Sequence, residues 1–298
     1  MKFSNYIRMC REKSKLTQEF LVENLATFHL FFKYLDVSTL SRWERGVSNP
    51  NIEKKLKIIE FFQEKSGFIF PYFELVNFFD NKADILQKTM DIIIGENREL
   101  ILNFPSQNIL EKELKIRELK DIKNINNIID ISLNLDQEFT HAISLLKDNH
   151  FKKWANHPSS CFFVCEYKEQ FFGLLFSLKL KTEVFFKLLN GSIQENDLKM
   201  QDFAKEDEEG SFYLLNFFSY SKKSAALLFI HFYIHLLKYH KFILEVGVGT
   251  MISDGHKLIK RLHIKHYKNI QYSTSTVSFY KSPLKDFLIN KYTIKVFF

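Results

Sequence analysis

The chain has 298 residues, of which 46% are hydrophobic and 26% charged. This length can hold two domains with separate cores, and this apolar content excludes a mainly disordered protein. The 9 Gly and 5 Pro exclude a collagen-like or low-complexity chain. The net charge of +7 favours a polyanionic partner.

The cysteines and the apolar stretches indicate the cellular compartment of the protein. The chain has three cysteines, so they cannot all form disulfides with one another: Cys10, Cys161 and Cys165. Because none has Cys-x-x-Cys spacing, we predict buried thiols and no metal site. Arg8 precedes any apolar run, so we expect no signal peptide. The most apolar stretch, 225–237, is about half as long as a membrane span. We therefore expect a cytoplasmic protein that does not bind a membrane.

The N-terminal residues predict four short helices. Thr17 is placed to cap the second helix, and Asp36 or Ser38 can cap the third. Asn51 opens the fourth helix, whose apolar residues recur at helical spacing. This part is therefore predicted as an all-α domain over residues 1–65.

Two segments carry a family resemblance. LTQEFLVENL (16–25), followed by VSTLSRWERGVSNPNIEKKLKI (37–58), resembles the Xre/Cro-type helix-turn-helix family of bacterial and phage repressors. The match spans about residues 3–63. The stretch 27–35 is longer than the tight turn of that family, and we interpret it as an extension of the second helix plus a longer loop.

The resemblance implies binding of double-stranded DNA, because the family lays its recognition helix in the major groove. The implied DNA contacts are Gln18, Val37, Ser38, Ser41, Arg42 and Arg45. Arg42 suits guanine, and Val37 suits a thymine methyl group. Gln18 and Arg45 are expected at the DNA backbone, and Leu40 and Trp43 in the core. Because operators are commonly read by dimers, we expect a homodimer.

Residues 66–111 are predicted as a helical connector between two domains. The stretch 81–102 places apolar residues, among them Ile93 and Ile94, on one helix face. This face either packs on its own chain or forms the dimer seam, and both alternatives stay open. Pro105 marks the best boundary before the next domain.

From Leu114 onward the predicted elements follow the order β-α-α-β-β-β-α-β-α-β, with a hairpin turn at 168–170. This order resembles the GNAT (Gcn5-related N-acetyltransferase) fold over about 112–288. The predicted fold class is therefore α+β with two domains. The all-α domain is followed by an α/β GNAT-like domain, 112–298, with a central mixed sheet.

The GNAT resemblance implies an acyl-CoA site. In that family a β-bulge splays two parallel strands around acyl-CoA, and a glycine-rich loop holds the pyrophosphate at the start of the next helix. Here Ser219, Lys222 and Ser224 stand where Arg/Gln, Gly and Gly/Ala belong, and Lys223 adds charge. The sequence thus predicts a degenerate site for acetyl-CoA or another acyl-CoA.

Glu245 and Tyr280, each on a predicted strand, are the candidate general base and general acid. A solvated carboxylate and a packing tyrosine are the alternative interpretations. The main functional hypothesis is a transcriptional regulator whose GNAT-like domain senses a small-molecule effector or mediates assembly without turnover. One alternative is an acetyl-CoA-dependent N-acetyltransferase with a DNA-binding head. The other is an antitoxin- or immunity-type repressor that binds a protein.

Overall fold

The computed structural model describes residues 2–67, 82–95, 113–140, 146–272 and 275–298. The chain divides into two compact units: unit 1 is Met1–Ile85 with Leu288–Phe298, and unit 2 is Leu86–Phe287. The sequence assigned residues 288–298 to the GNAT-like domain, whereas the structure assigns them to unit 1. Most of the predicted connector lies outside the described residues.

Unit 1 begins with four helices, each of which starts near its predicted position. They are α1 Phe3–Lys13, α2 Gln18–Phe28, α3 Val37–Glu44 and α4 Ile52–Ser66. The side chains of Thr17, Asp36 and Asn51 cap α2, α3 and α4 by accepting hydrogen bonds from backbone N–H groups. Of the two candidate caps of α3, Asp36 is the one used.

The link between α2 and α3 differs from the prediction. Helix α2 ends at Phe28, and Leu30–Phe32 form a separate 3-10 turn. His29 adopts extended backbone angles there, and its side chain accepts a hydrogen bond from Phe31 N–H. The buried Phe32 anchors the turn. The extra residues therefore form a fixed turn instead of lengthening α2.

Three shorter helices lie at or near the sequence boundaries of the two units: α5 Lys82–Thr89, α11 Leu284–Leu288 and α12 Lys291–Phe297. Helix α12 packs on α4. Phe298 follows it and places its ring 5.1 Å from that of Phe3 and 5.4 Å from that of Tyr6. The end of the sequence therefore closes the core of unit 1.

Unit 2 is built on a seven-stranded mixed sheet in the order β1-β2-β3-β4-β5-β7-β6. Its strands are β1 Leu114–Glu118, β2 Cys161–Tyr167, β3 Gln170–Leu180, β4 Gly210–Ser219, β5 Ile243–Thr250, β6 Lys265–Gln271 and β7 Thr276–Pro283. Strands β4 and β5 are parallel, and the other neighbours are antiparallel. The predicted mixed sheet is confirmed, with β6 as an additional strand.

Helices cover both faces of this sheet. They are α6 Ile125–Thr140, α7 Asp148–Ala155, α8 Thr182–Leu189, α9 Lys222–Lys238 and α10 Ser253–Arg261. Apolar residues of α6, α7 and α8 form one core with β2, β3 and β4. Helix α9 packs on the opposite face, where the Phe212 ring of β4 contacts the Phe232 ring.

Part of the predicted connector belongs to unit 2. A short π-helix, Met90–Ile94, contacts α9 and α10. Ile93 and Ile94 are buried, and their carbonyl oxygens accept hydrogen bonds from the Arg261 guanidinium. For these residues, packing on the same chain is the alternative that the structure supports.

The three cysteines are buried free thiols, as predicted. Burial raises the pKa of Cys10 and of Cys165 to about 12, so neither thiol is a reactive thiolate. Among the described residues, no helix combines the length and the apolar character that crossing a membrane would require.

Candidate functional site

Helix α3 has one buried side and one exposed polar side. Leu40 and Trp43 are buried, as predicted for the inward face. The predicted DNA contacts on and beside α3 are exposed or half-buried: Val37, Ser38, Ser41, Arg42 and Arg45. Two arginines and two serine hydroxyls thus share the solvent side of one helix. This side therefore carries groups that can donate hydrogen bonds to base edges and phosphate oxygens.

Gln18, the remaining predicted DNA contact, belongs to a partly buried polar cluster. Its side-chain amide donates to Glu44 Oε2 at 2.7 Å. The Arg11 guanidinium donates to both Glu44 oxygens, at 2.6 and 3.0 Å. The cluster joins α1, α2 and α3. The amide of Gln18 has a second N–H group, which is the donor that a phosphate contact would use.

In unit 2, the parallel strands β4 and β5 are paired along only part of their length. Their pairing runs from Gly210↔Ile243 to Leu214↔Val248, whereas β4 continues to Ser219 and β5 to Thr250. Beyond Leu214, β4 pairs with β3 alone. The two strands therefore leave a gap between their carboxyl ends, which we call the splay.

A β-bulge in β4 lies at this point. Phe176 of β3 pairs with Asn216 and Ser177 pairs with Leu214, so Leu215 is an extra residue in β4. The bulge reverses which side chains face each side of the sheet. Asn216 thus donates to Ser132 of α6, on the face opposite α9. The bulge and the parallel pair are the two features that the sequence resemblance implied.

A tyrosine and a carboxylate meet beside the splay on the face covered by α8. The Tyr213 hydroxyl donates to Glu195 Oε1 at 2.7 Å and lies beside Gly249 of β5, where an added Cβ would be 3.0 Å from it. Burial and the Glu195 charge raise the pKa of Tyr213 well above its usual value. Tyr213 therefore stays neutral and fixes the half-buried Glu195 carboxylate close to the first β5 residue beyond the pairing.

The other face of the splay holds a histidine and a tyrosine. Tyr280 of β7 pairs with Val248, the last β5 residue that is paired with β4. Its hydroxyl lies 2.7 Å from His256 Nδ1 on α10. Both residues are partly exposed. The pair can hold or pass a proton on the face of the sheet that carries α9 and α10.

The structure separates the two predicted catalytic residues. Tyr280 pairs with Val248 at the splay. Glu245 lies three residues before Val248 in β5, and this spacing corresponds to about 10 Å along the strand. Both Glu245 oxygens accept hydrogen bonds from Lys281 Nζ, at 2.8 and 3.0 Å. Because this ion pair engages the carboxylate, Glu245 is poorly suited to act as a base.

Sequence reasoning missed Glu195 and Tyr213. Glu195 lies in a 3-10 turn, Glu195–Asp197, within a stretch interpreted as irregular and acidic. Tyr213 lies in β4 among other aromatic residues, so nothing in the sequence distinguished its hydroxyl from a packing side chain. Its spacing to Glu195 carries no motif, and only the pairing of β4 and β5 shows that the two residues share a site.

The start of α9 brings the four predicted CoA-binding residues together. Ser219, Ser221 and Ser224 are fully buried, and Lys222 and Lys223 are half-exposed. The Ser221 side chain caps α9 by accepting from Ser224 N–H at 3.1 Å. Lys222 and Ser224 thus carry side chains at the two positions where the resemblance implied Gly and Gly/Ala. These residues do not fit a backbone cradle for the pyrophosphate of CoA.

The comparisons with known proteins are limited to structural likeness. No family model matches the chain, and no curated protein matches it. FeeM, an N-acyl amino acid synthase from uncultured soil microbes, is 15% identical, with a TM-score of 0.40 over 58% of this chain and 92% of its own. An agmatine N-acetyltransferase is 8% identical, with a TM-score of 0.41 over 57% of this chain and 99% of its own.

An N-acetyltransferase from Staphylococcus aureus Mu50 is 13% identical, with a TM-score of 0.37 over 57% of this chain and 97% of its own. These identities and TM-scores are too low to support an inference about activity. The description of unit 2 as GNAT-like therefore rests on its own strand order, bulge and splay.

Proposed function

We propose that unit 2 is an N-acyltransferase that moves an acyl group from a thioester to an amine. The observation that carries this proposal is the position of two proton-handling pairs on opposite faces of one splay. Glu195 and Tyr213 lie on the α8 face, and His256 and Tyr280 lie on the α10 face. An acyl thioester lying in the splay would meet an amine from one face and release its thiol on the other.

The proposed step assigns one proton to each pair. The amine nitrogen attacks the thioester carbonyl carbon, so a C–N bond forms and the C–S bond breaks. Glu195 takes the proton that the amine loses, and Tyr280 gives a proton to the leaving thiolate. His256 donates to the Tyr280 oxygen in the tautomer that this role requires. Exchange with water then restores both groups.

Tyr213 supports this step as a positioning residue. Its hydroxyl donates to Glu195 and lies against Gly249, so it holds the carboxylate close to β5. Phe279 fills the space beside Gly249, where an added Cβ would lie 2.9 Å from its ring. The Glu195 carboxylate belongs to a 3-10 turn, and its hydrogen bond to Tyr213 anchors it to the rigid sheet.

The test is a search for acylated product. The full chain is incubated with acetyl-CoA and a set of amines that includes a polyamine, an arylalkylamine and a peptide with a free N-terminus. We expect mass spectrometry to detect an acetylated amine from at least one of them, formed faster than without protein. Binding of acetyl-CoA without any acetylated amine would refute the enzyme and favour a ligand-sensing domain without turnover.

As a second function, we infer that unit 1 binds double-stranded DNA. The specific observation is the exposed side of α3, which carries Arg42, Arg45 and Ser38 while Leu40 and Trp43 are buried. A helix with a hydroxyl donor in its first turn and guanidinium donors at its other end can lie in the major groove. The chain would then be an acyltransferase with a DNA-binding head, and its homodimerisation remains a prediction.

Selection of bound fragments from random DNA tests this second function. We expect the full chain to enrich one short sequence, because side chains on α3 would contact base edges. Retention of DNA that shows no enriched sequence would contradict major-groove reading and leave only charge attraction. Sedimentation of the complex would report whether one or two copies occupy each site.

A further inference from the structure

The loop between β4 and α9 is closed by its own serines. The hydroxyls of Ser219 and Ser224 are hydrogen-bonded to each other. Both also contact the carbonyl oxygen of Phe172 on β3, at 3.3 and 3.2 Å. Ser219 Oγ accepts from Ser221 N–H at 3.4 Å. The three serine hydroxyls and the N–H groups of Ser221 and Ser224, which could face a phosphate, are thus bonded within the loop.

The space around this loop is also filled. A Cβ added to Gly173 of β3 would lie 2.8 Å from Phe218 O, 3.0 Å from Ser219 Oγ and 3.1 Å from Leu228 Cδ1. Opening the loop for a diphosphate would therefore require β3, β4 and α9 to move apart. Lys222 and Lys223 remain as sources of positive charge, but a lysine supplies no fixed cradle of amides.

The splay, in contrast, keeps backbone groups available for an extended ligand. Beyond Leu214 and Val248, the facing edges of β4 and β5 no longer pair with each other. An unpaired strand edge binds extended chains that carry amide groups. The pantetheine arm of an acyl donor is such a chain, since two amides precede its thioester. The donor's reactive end thus has a place to bind, whereas its nucleotide end does not.

We propose, on the basis of the acyltransferase function above, that the acyl donor is recognised through its pantetheine thioester and not through its nucleotide diphosphate. Pantetheine donors without a nucleotide then serve this protein about as well as CoA donors. The serine-closed loop takes the place of the phosphate cradle and stabilises the junction of β3, β4 and α9.

Isothermal titration of the full chain with three ligands tests this proposal: pantetheine, CoA and adenosine 3′,5′-bisphosphate, the nucleotide half of CoA. We expect pantetheine and CoA to bind with Kd values within about threefold of each other, and the bisphosphate to give no binding heat. CoA binding more than about thirtyfold tighter than pantetheine would overturn the inference and leave the acyltransferase proposal standing. Failure of both thiols to bind would overturn both proposals.

A double variant, Lys222→Ala with Lys223→Ala, separates charge from shape. Both side chains are half-exposed, so the variant is expected to fold. We expect its Kd for CoA to stay within about twofold of the unmodified chain. A loss of about tenfold or more for CoA, with pantetheine unaffected, would show that the two lysines hold the diphosphate and would overturn the inference.

Discussion

Glu44 is a buried carboxylate whose charge is balanced by one guanidinium. Its side chain is 3% exposed and that of Arg11 is 14% exposed. A buried ion pair of this kind contributes little net stability, but removal of one partner leaves an unpaired buried charge. Arg11 is therefore needed to fix α1 against α3, the helix proposed to read DNA.

We expect Arg11→Met to lower the free energy of unfolding of unit 1 by about 3–5 kcal/mol. Arg8→Met is the control, because Arg8 is exposed on α1 and its replacement is expected to cost less than about 0.5 kcal/mol. Urea unfolding followed by the fluorescence of Trp43, with Trp154 replaced by Phe, measures both. Equal stability of the two variants would contradict the assigned role of Arg11.

His235 makes unit 2 sensitive to acid. Burial, with smaller contributions from Lys238 and Lys179, lowers its pKa to about 4. The unfolded chain, with a histidine pKa near 6.5, takes up the proton first, so stability falls as the pH drops from about 6.5 towards 4. By pH ~5.5 the loss from this group amounts to about 1 kcal/mol.

The measurement is the free energy of unfolding of unit 2 at neutral and at mildly acidic pH. His235→Gln removes the titrating group from its place against Phe163 and Phe212. We expect the variant to show a shallower pH dependence than the unmodified chain, even if it is less stable at neutral pH. Parallel pH profiles for the two proteins would contradict the assignment to His235.

At the scale of elements, α3 carries the claim about DNA. Arg42→Ala should weaken binding to the selected sequence by about 1–3 kcal/mol and relax the preference at one base pair. Gln18→Ala should weaken binding to all sequences, because an amide at the start of α2 is placed for a phosphate. Quantitative band-shift assays with Arg8→Ala as the control measure both effects. If both variants bind like the control, the docking of α3 in the groove is wrong.

Elements with strong local signals were predictable from the sequence. The helix caps Thr17, Asp36 and Asn51 and the hairpin turn of Lys168 and Glu169 stand where the sequence placed them. Strand β6 was missed because nearly all of its residues are exposed, so no apolar alternation marks it. Helix α8 was missed between two strands, although its apolar face covers β4 and β5.

The candidate site was predictable only in part. Tyr280 could be singled out as a strand tyrosine with a hydroxyl, but its partner His256 lies on another element. Glu245 was chosen because it lies on the right strand, and its ion pair with Lys281 depends on the β5–β7 register. Such pairings join residues that are far apart in sequence, and a single sequence contains no signal for them.

At the scale of the whole molecule, the chain returns to its first unit at its end. Ile294 and Val296 of α12 are buried, and Phe298 contacts the rings of Phe3 and Tyr6. Unit 1 is therefore formed from two separate parts of the sequence. A fragment that contains only the first 67 residues would expose these rings to water.

Deletion of residues 291–298 should therefore destabilise unit 1. We expect the free energy of unfolding of unit 1 to fall by more than about 3 kcal/mol, since three buried apolar side chains are removed together: Ile294, Val296 and Phe297. Ile294→Ala is the milder variant and should cost about 2–4 kcal/mol. The fluorescence of Trp43, with Trp154 replaced by Phe, measures both, and the fluorescence of Trp154, with Trp43 replaced by Phe, provides the control in unit 2. An unchanged Trp43 transition after the deletion would contradict this account of unit 1.

The central claim is that Glu195, held by Tyr213 at the splay, removes the proton from an amine during acyl transfer. The most direct measurement is the rate of thiol release from acetyl-CoA, with the best amine found, for Glu195→Gln and for the control Glu183→Gln, an exposed residue of α8. We predict that Glu195→Gln lowers kcat by about 100-fold or more while the control keeps its rate within about twofold. Equal rates for Glu195→Gln and the unmodified chain, with Glu245→Gln inactive instead, would contradict the account.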